Sequence, residues 1–139
     1  QAAALQLIST ISESEADFAY APGKWSIKEV LGHVTDGERV FAYRALRIAR
    51  GDETPLPGFD ENKFAASGGH AARTLESIAL EFDHLRTSSL DLFASFDEAA
   101  WMRKGTASGH PVSVRAMAWI IAGHLDHHLK IIRERYLKG

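Results

Sequence analysis

The chain has 139 residues, a formal net charge of −2 and a sequence pI near 6.4. It therefore offers no basic field to gather phosphate backbones or anionic lipid, and nucleic acid is not expected as a partner. It lacks cysteine, which removes disulfides, thiolate ligands and a cysteine nucleophile together and leaves histidine and carboxylate as metal-holding side chains. A length of this order forms one domain, residues 1–139, that buries its core without metal staples, so a metal here would serve chemistry rather than folding. No apolar run reaches the roughly 18 residues needed to span a bilayer, and a cytoplasmic location is the default expectation.

The sequence opens Gln1-Ala2-Ala3-Ala4 without methionine and already helical in character, so residues upstream are expected to be missing. Leu5, Ile8 and Ile11 carry a short helical stripe that fades at Ser12, and Pro22-Gly23 marks a loop. Ser26-Ile27-Lys28-Glu29 has the form of a capping box, in which the serine oxygen and the glutamate satisfy each other's backbone N–H groups. A second helix starts there, with Ile27, Val30, Leu31, Val34, Phe41, Ala45 and Ile48 as its buried face and Gly51 at its end. From Gly51 to Gly69 the sequence is turn-rich and lacks a sustained period, and a structureless stretch of that length is usually functional or a crossover. Leu75, Ile78, Phe82, Leu85, Leu92 and Phe96 form the seam of a third helix. Asp97 caps a short turn through Trp101, Gly105 to Pro111 breaks the chain, and Ser113 is the N-cap of a last helix running to about Tyr136. Four amphipathic helices predict an all-α four-helix bundle. The long connection between the second and third lets the chain return along the bundle, giving an up-down-down-up order.

His124 and His128 stand four residues apart on the last helix, where β-carbons lie about 5–6 Å from each other. With about 100° per residue, both fall within the apolar stripe carrying Met117, Ile121, Leu125 and Ile132, whereas His127 falls on its margin. Buried imidazoles need partners for their nitrogens, and a shared metal satisfies both. His33, at the edge of the apolar face of the second helix, could supply a third nitrogen and leave an open position, the arrangement of a catalytic zinc-type site. Gly37, one turn on, would leave room for a bound group. The alternative for His33 is a boundary histidine bonded to Asp36 or Glu29. His70, His84 and His110 are assigned solvated roles. Asp36 and Asp126 are read as solvated carboxylates on helix surfaces, with orientation of a ligand imidazole as the alternative role.

Lys24-Trp25-Ser26-Ile27-Lys28-Glu29-Val30-Leu31-Gly32-His33 resembles the signature W-S-x-x-E-x-x-x-H, and Gly123-His124-Leu125-Asp126-His127-His128 resembles H-x-x-x-H near the end of a last helix. On these residues the chain is similar to the DinB-like (DinB/YfiT-like) superfamily of metalloenzymes. The resemblance implies an up-down-down-up bundle that binds one divalent ion, often zinc or nickel, through His33, His124 and His128, and that frequently dimerises. It also implies a small-molecule substrate, with some relatives acting as S-transferases on low-molecular-weight thiols.

The reading that follows is a metal-dependent transferase or hydrolase; no catalytic residue is assigned beyond the metal ligands. The alternative from another class is a non-catalytic helical protein that binds a small molecule or partner and keeps the histidines as a structural cluster. A homodimer is expected from apolar residues left outside the bundle faces, Trp119 and Ala122 on the last helix and Tyr43 and Leu46 on the second.

Overall fold

The computed structural model describes residues 1–137. Its α-helices are α1 (Ala2–Ile8), α2 (Glu13–Ala16), α3 (Ile27–Ala49), α4 (Glu61–Ser67), α5 (Leu75–Ala94), α6 (Glu98–Met102) and α7 (Val114–Ile131). A 3-10 turn covers His70–Ala72, a hairpin of β1 (Lys104–Ala107) and β2 (His110–Ser113) precedes α7, and a π-helical turn, Ile132–Tyr136, follows it. Among the described residues, no helix is long and apolar enough to cross a membrane.

Helix starts obey their capping residues. Ser26 Oγ accepts from the Glu29 backbone N–H at 3.3 Å while Glu29 Oε2 accepts from that of Ser26 at 2.7 Å. The side chains of Thr74, Asp97 and Ser113 likewise cap α5, α6 and α7. Each takes up a backbone donor that a helix start leaves unpaired, at about 1 kcal/mol apiece.

Helix directions follow from which residues share a core cluster. Val30 and Leu31 of α3 pack with Leu75 and Ile78 of α5, Val34 with Phe82, and Ala45 and Ile48 with Phe93 and Phe96. Numbers rise together, so α3 and α5 are parallel. Against α7 the order reverses: Ile27 and Val30 lie with Ile132, whereas Ala45 and Ile48 lie with Val114 and Met117. α1 opposes α5, since Gln1 Nε2 donates to Asp83 Oδ1 at 2.6 Å while Ile8 and Ile11 pack with Leu75 and Ile78. This is the expected up-down-down-up bundle, with residues 50–74 carrying the chain back along its length.

That crossover is more ordered than its composition suggests. Asp60 Oδ1 accepts from the backbone N–H groups of Asn62 and Lys63, both at 3.1 Å, and starts α4. Upstream, the Leu56 N–H donates to Thr106 O and Leu56 O accepts from Ser108 N–H, both at 2.9 Å. Those partners belong to the hairpin, which replaces the expected break at Gly105 to Pro111. Its turn residues, Ser108 and Gly109, have φ of 52° and 79°, the paired positive values that let a two-residue turn match strand twist. Arg44 Nη2 locks the junction by donating to Pro57 O at 2.7 Å and Ser108 Oγ at 2.9 Å.

The seam of α5 also departs from the expected one. Leu85 and Leu92 are only half-buried, and the fully buried line runs Leu75, Ile78, Phe82, Arg86, Ser89 and Phe93. An arginine occupies a core position because Glu38 of α3, 2% exposed, meets it there. Arg86 donates from Nε to Glu38 Oε1 at 2.9 Å and from Nη2 to Oε2 at 2.7 Å. Elsewhere, the buried Lys28 ammonium bonds Glu13 and Asp17 at 2.8 Å each, and the hydrogen bonds it donates to Asp17 and Glu13 raise its pKa. Glu13 also accepts from the Leu75 N–H at 2.7 Å, so one carboxylate ties together α2, α3 and α5.

Removing one member of a buried pair strands the other charge, so Glu38→Ala is expected to cost about 3–5 kcal/mol in urea unfolding. Glu38→Leu combined with Arg86→Met is expected to recover most of that loss. A single substitution that proved as mild as a surface one would remove the pair from its structural role.

Candidate metal centre

Antiparallel packing of α3 on α7 brings the second turn of α3 opposite the last two turns of α7. His33 is 5% exposed and His124 and His128 are half-buried. His33 Nε2 lies 2.9 Å from His124 Nε2, and one ring nitrogen from each of the three histidines falls within 4.8 Å of the others. Spacing on α7 sets the two lower rings one above the other, and ring centroids across the trio lie 4.7 to 4.9 Å apart. Trp25 packs on His33 at 4.8 Å and Phe41 stands edge-on to His124 at 5.6 Å. Gly37 turns out to make room for His124 itself, because a Cβ there would lie 3.0 Å from the His124 Cε1 atom.

Burial pushes all three imidazoles below the usual histidine range. His33 is lowered despite the opposing pull of Glu61 and Asp36. His124 falls to about 4, from burial and then the neighbouring His33 and His127. His128 falls to about 3, from burial and then His124, His33 and His127. The trio is thus neutral at pH 7, each ring with a lone pair. Two nitrogens held about 2.0–2.1 Å from a tetrahedral ion stand about 3.3 Å apart, so the His33–His124 contact needs only a small opening to admit one. The donor set fits a borderline divalent metal that favours imidazole.

The remaining histidines divide differently. His127, His84 and His110 are exposed, as expected, and the His127 ring sits 5.2 Å from that of His128. His70, expected to be solvated, is 7% exposed. Its ring lies in a box made by two glycines: a Cβ on Gly32 or on Gly68 would come within 2.3 Å of it. Neither ring nitrogen has a hydrogen-bond partner among the described residues; Nε2 stands 3.6 Å from Asp36 Oδ2. The signal in the sequence was Gly32 in the middle of a helix, where glycine is otherwise costly. Asp36 faces His70 and Arg39 rather than a ligand ring, and Asp126 is exposed.

A pocket of about 260 Å³ opens beside His128, walled by Tyr20, Lys24, Trp25, Asn62, Ile131 and Tyr136. Tyr136 donates its hydroxyl to Trp25 O at 2.7 Å, and burial first of all pushes its pKa up to about 12. Asn62 belongs to α4, so the crossover supplies part of the wall.

The sequence profile of the DinB superfamily matches residues 1–132. The chain belongs to the DinB superfamily. Over 130 residues it is 26% identical to a protein of Oceanobacillus iheyensis named "Putative metal-dependent hydrolase", with 92% of this chain and 74% of that protein covered. A protein of the same description from Bacillus licheniformis is 31% identical over 130 residues, covering 88% of this chain and 71% of its own. The solved structure of YfiT from Bacillus subtilis, described as "a probable metal-dependent hydrolase with an unusual four-helix bundle topology", matches with a TM-score of 0.75 at 16% identity. That match covers 94% of this chain and 79% of YfiT, and it establishes likeness of fold.

Two outcomes follow from the geometry. Unfolded histidines take up protons near pH 6.5 while the buried trio resists them, so the folded state binds fewer protons and loses stability as pH falls. For the metal-free protein the loss begins near pH 6.5 and continues toward the folded values of about 4 and about 3. Urea unfolding between pH 7 and pH 4 measures it, and His128→Asn is expected to flatten the slope; an unchanged slope contradicts the assignment. Separately, Gly32→Ala drives a methyl into the His70 ring and is expected to destabilise by about 1–3 kcal/mol despite alanine's better helix propensity. Adding His70→Ala should relieve the overlap, and a double variant less stable than the single one would refute the box.

Proposed function

We propose that this chain is a divalent-metal-dependent hydrolase of small molecules, with zinc or nickel held by His33, His124 and His128. The observation that carries the reading is the convergence of three neutral imidazoles, drawn from two helices, within 4.8 Å at the edge of the pocket beside His128. The names of the relatives from Oceanobacillus iheyensis and Bacillus licheniformis support hydrolysis over the thiol-dependent S-transfer that the family resemblance also allows. A bound divalent ion would lower the pKa of an adjacent water or thiol toward neutrality.

The protein's own side chains do the rest. Trp25 and the surrounding core hold the His33 ring in one orientation, while Phe41 and Gly37 fix His124 between an aromatic edge and a bare backbone. Tyr136 keeps its proton and anchors the Trp25 backbone, closing one side of the pocket. Lys24 and Asn62 give the opening a cation and an amide for orienting a polar substrate group.

Metal content of the purified single variants tests the ligand set. His33→Ala, His124→Ala and His128→Ala are each expected to lower zinc or nickel affinity by at least tenfold, whereas His127→Ala should leave it within a factor of about two. Full occupancy in His124→Ala or His128→Ala would overturn the assignment. Ester and amide hydrolysis by the zinc-loaded protein, lost on chelation and restored by metal, tests the reaction. Persistence of hydrolysis without metal would refute it.

A further inference from the structure

The buried seam of α5 holds one hydroxyl without a partner among the described residues and one arginine with a nitrogen left over from its ion pair. Ser89, 4% exposed, has no hydrogen-bond partner for its Oγ among the described residues. Arg86, one turn earlier, commits Nε and Nη2 to Glu38 and leaves Nη1 outside the pair. Both residues line a cavity of about 210 Å³ between α5, α6 and α7. The rest of its wall is apolar: Leu90, Phe93, Trp101, Ala118, Ile121 and Ala122. Phe93 and Trp101 form a tilted pair, their ring planes 30° apart and their centroids at 5.5 Å.

These features specify a ligand. A cavity of about 150 Å³ lined by aliphatic and aromatic side chains is large enough for benzene, so this one accommodates a single substituted ring. Water alone suits it poorly, because most of the wall offers carbon. Ser89 and Arg86 are neighbours at i and i+3 on one helix face and both can donate, which calls for an acceptor oxygen. The guanidinium charge is already balanced by Glu38, so a carboxylate would leave the cluster with a net buried negative charge, which is costly. An uncharged carbonyl oxygen satisfies the donors without that cost.

We propose that the α5–α7 cavity is a second ligand site, separate from the histidine trio, that takes a small uncharged aromatic compound bearing a carbonyl-type acceptor. A second copy of the chain is a poorer occupant. A two-fold contact would present this same face, and its exposed apolar side chains nearest the cavity, Leu90, Trp119 and Ala122, carry no acceptor oxygen, the indole N–H being a donor only.

Acetophenone titrated into the intact, isotopically labelled protein, with and without zinc, tests the site by amide chemical-shift mapping. Saturable shifts confined to residues 86–93, 101 and 118–122 are expected, independent of zinc. Ser89→Ala, which removes a buried unpartnered hydroxyl and spares the Glu38–Arg86 pair, is expected to weaken binding about fivefold, as for one neutral hydrogen bond. Ala118→Leu should abolish binding by filling the cavity. Benzoate and toluene should each bind more weakly than acetophenone. The proposal is overturned by the absence of shifts at millimolar acetophenone, by equal affinity for toluene, or by unchanged affinity in Ser89→Ala. It is also overturned if sedimentation shows a dimer and Trp119→Glu is needed before acetophenone gains access.

Discussion

The parallel packing of α3 on α5 constrains everything else in the molecule. Two successive helices that run the same way cannot be joined by a short turn, because the chain must first travel back the length of the bundle. Residues 50–74 make that journey, and having to cross the outside of α3 they become a structural layer. Backbone bonds from Leu56 to the hairpin hold one end, and the seating of His70 against Gly32 holds the other. Between these anchors α4 brings Asn62 to the histidine pocket. The topology and the pocket wall thus have one cause.

Its central position also explains the unusual polarity of α3. This helix faces α5 on one side, α7 on another and the crossover on a third, so Lys28, His33, Thr35, Glu38 and Arg44 are all buried along it. Buried polar groups persist where partners are supplied. Lys28 finds two carboxylates, Glu38 an arginine, Arg44 a carbonyl and a hydroxyl, and Thr35 its own helix through Leu31 O at 2.9 Å. His33 alone is met by other imidazoles rather than by an oxygen. That difference marks the histidine cluster off from the structural polar contacts on the same helix.

The three long helices were legible in the sequence, as were the caps of α3, α6 and α7, because they depend on local chemistry: Ser26 with Glu29, Asp97 and Ser113 each act within a few residues. The closeness of His33 to His124 and His128 was legible as well, through helical spacing on α7 and the matching signatures. Long-range pairing was not. Arg86 reads as a surface residue until Glu38 is known to face it, and for that reason the apolar pattern points to Leu85 and Leu92 instead. His70 reads as a loop histidine until two separate glycines are seen to enclose it. The hairpin leaves little trace in the sequence because its strands are four residues each and Pro111 weakens the pattern; it is also held by Leu56 from the distant crossover.

The division of labour between helix and crossover bears on how such a protein diversifies. His33, His124 and His128 sit on two helices fixed by core packing, whereas Asn62 is carried by a connecting segment anchored at its ends. Insertions or substitutions between Gly58 and Gly68 would therefore redraw the entrance while the imidazoles kept their places. The connecting segment can thus change in length and composition without disturbing the packing that holds the three rings together.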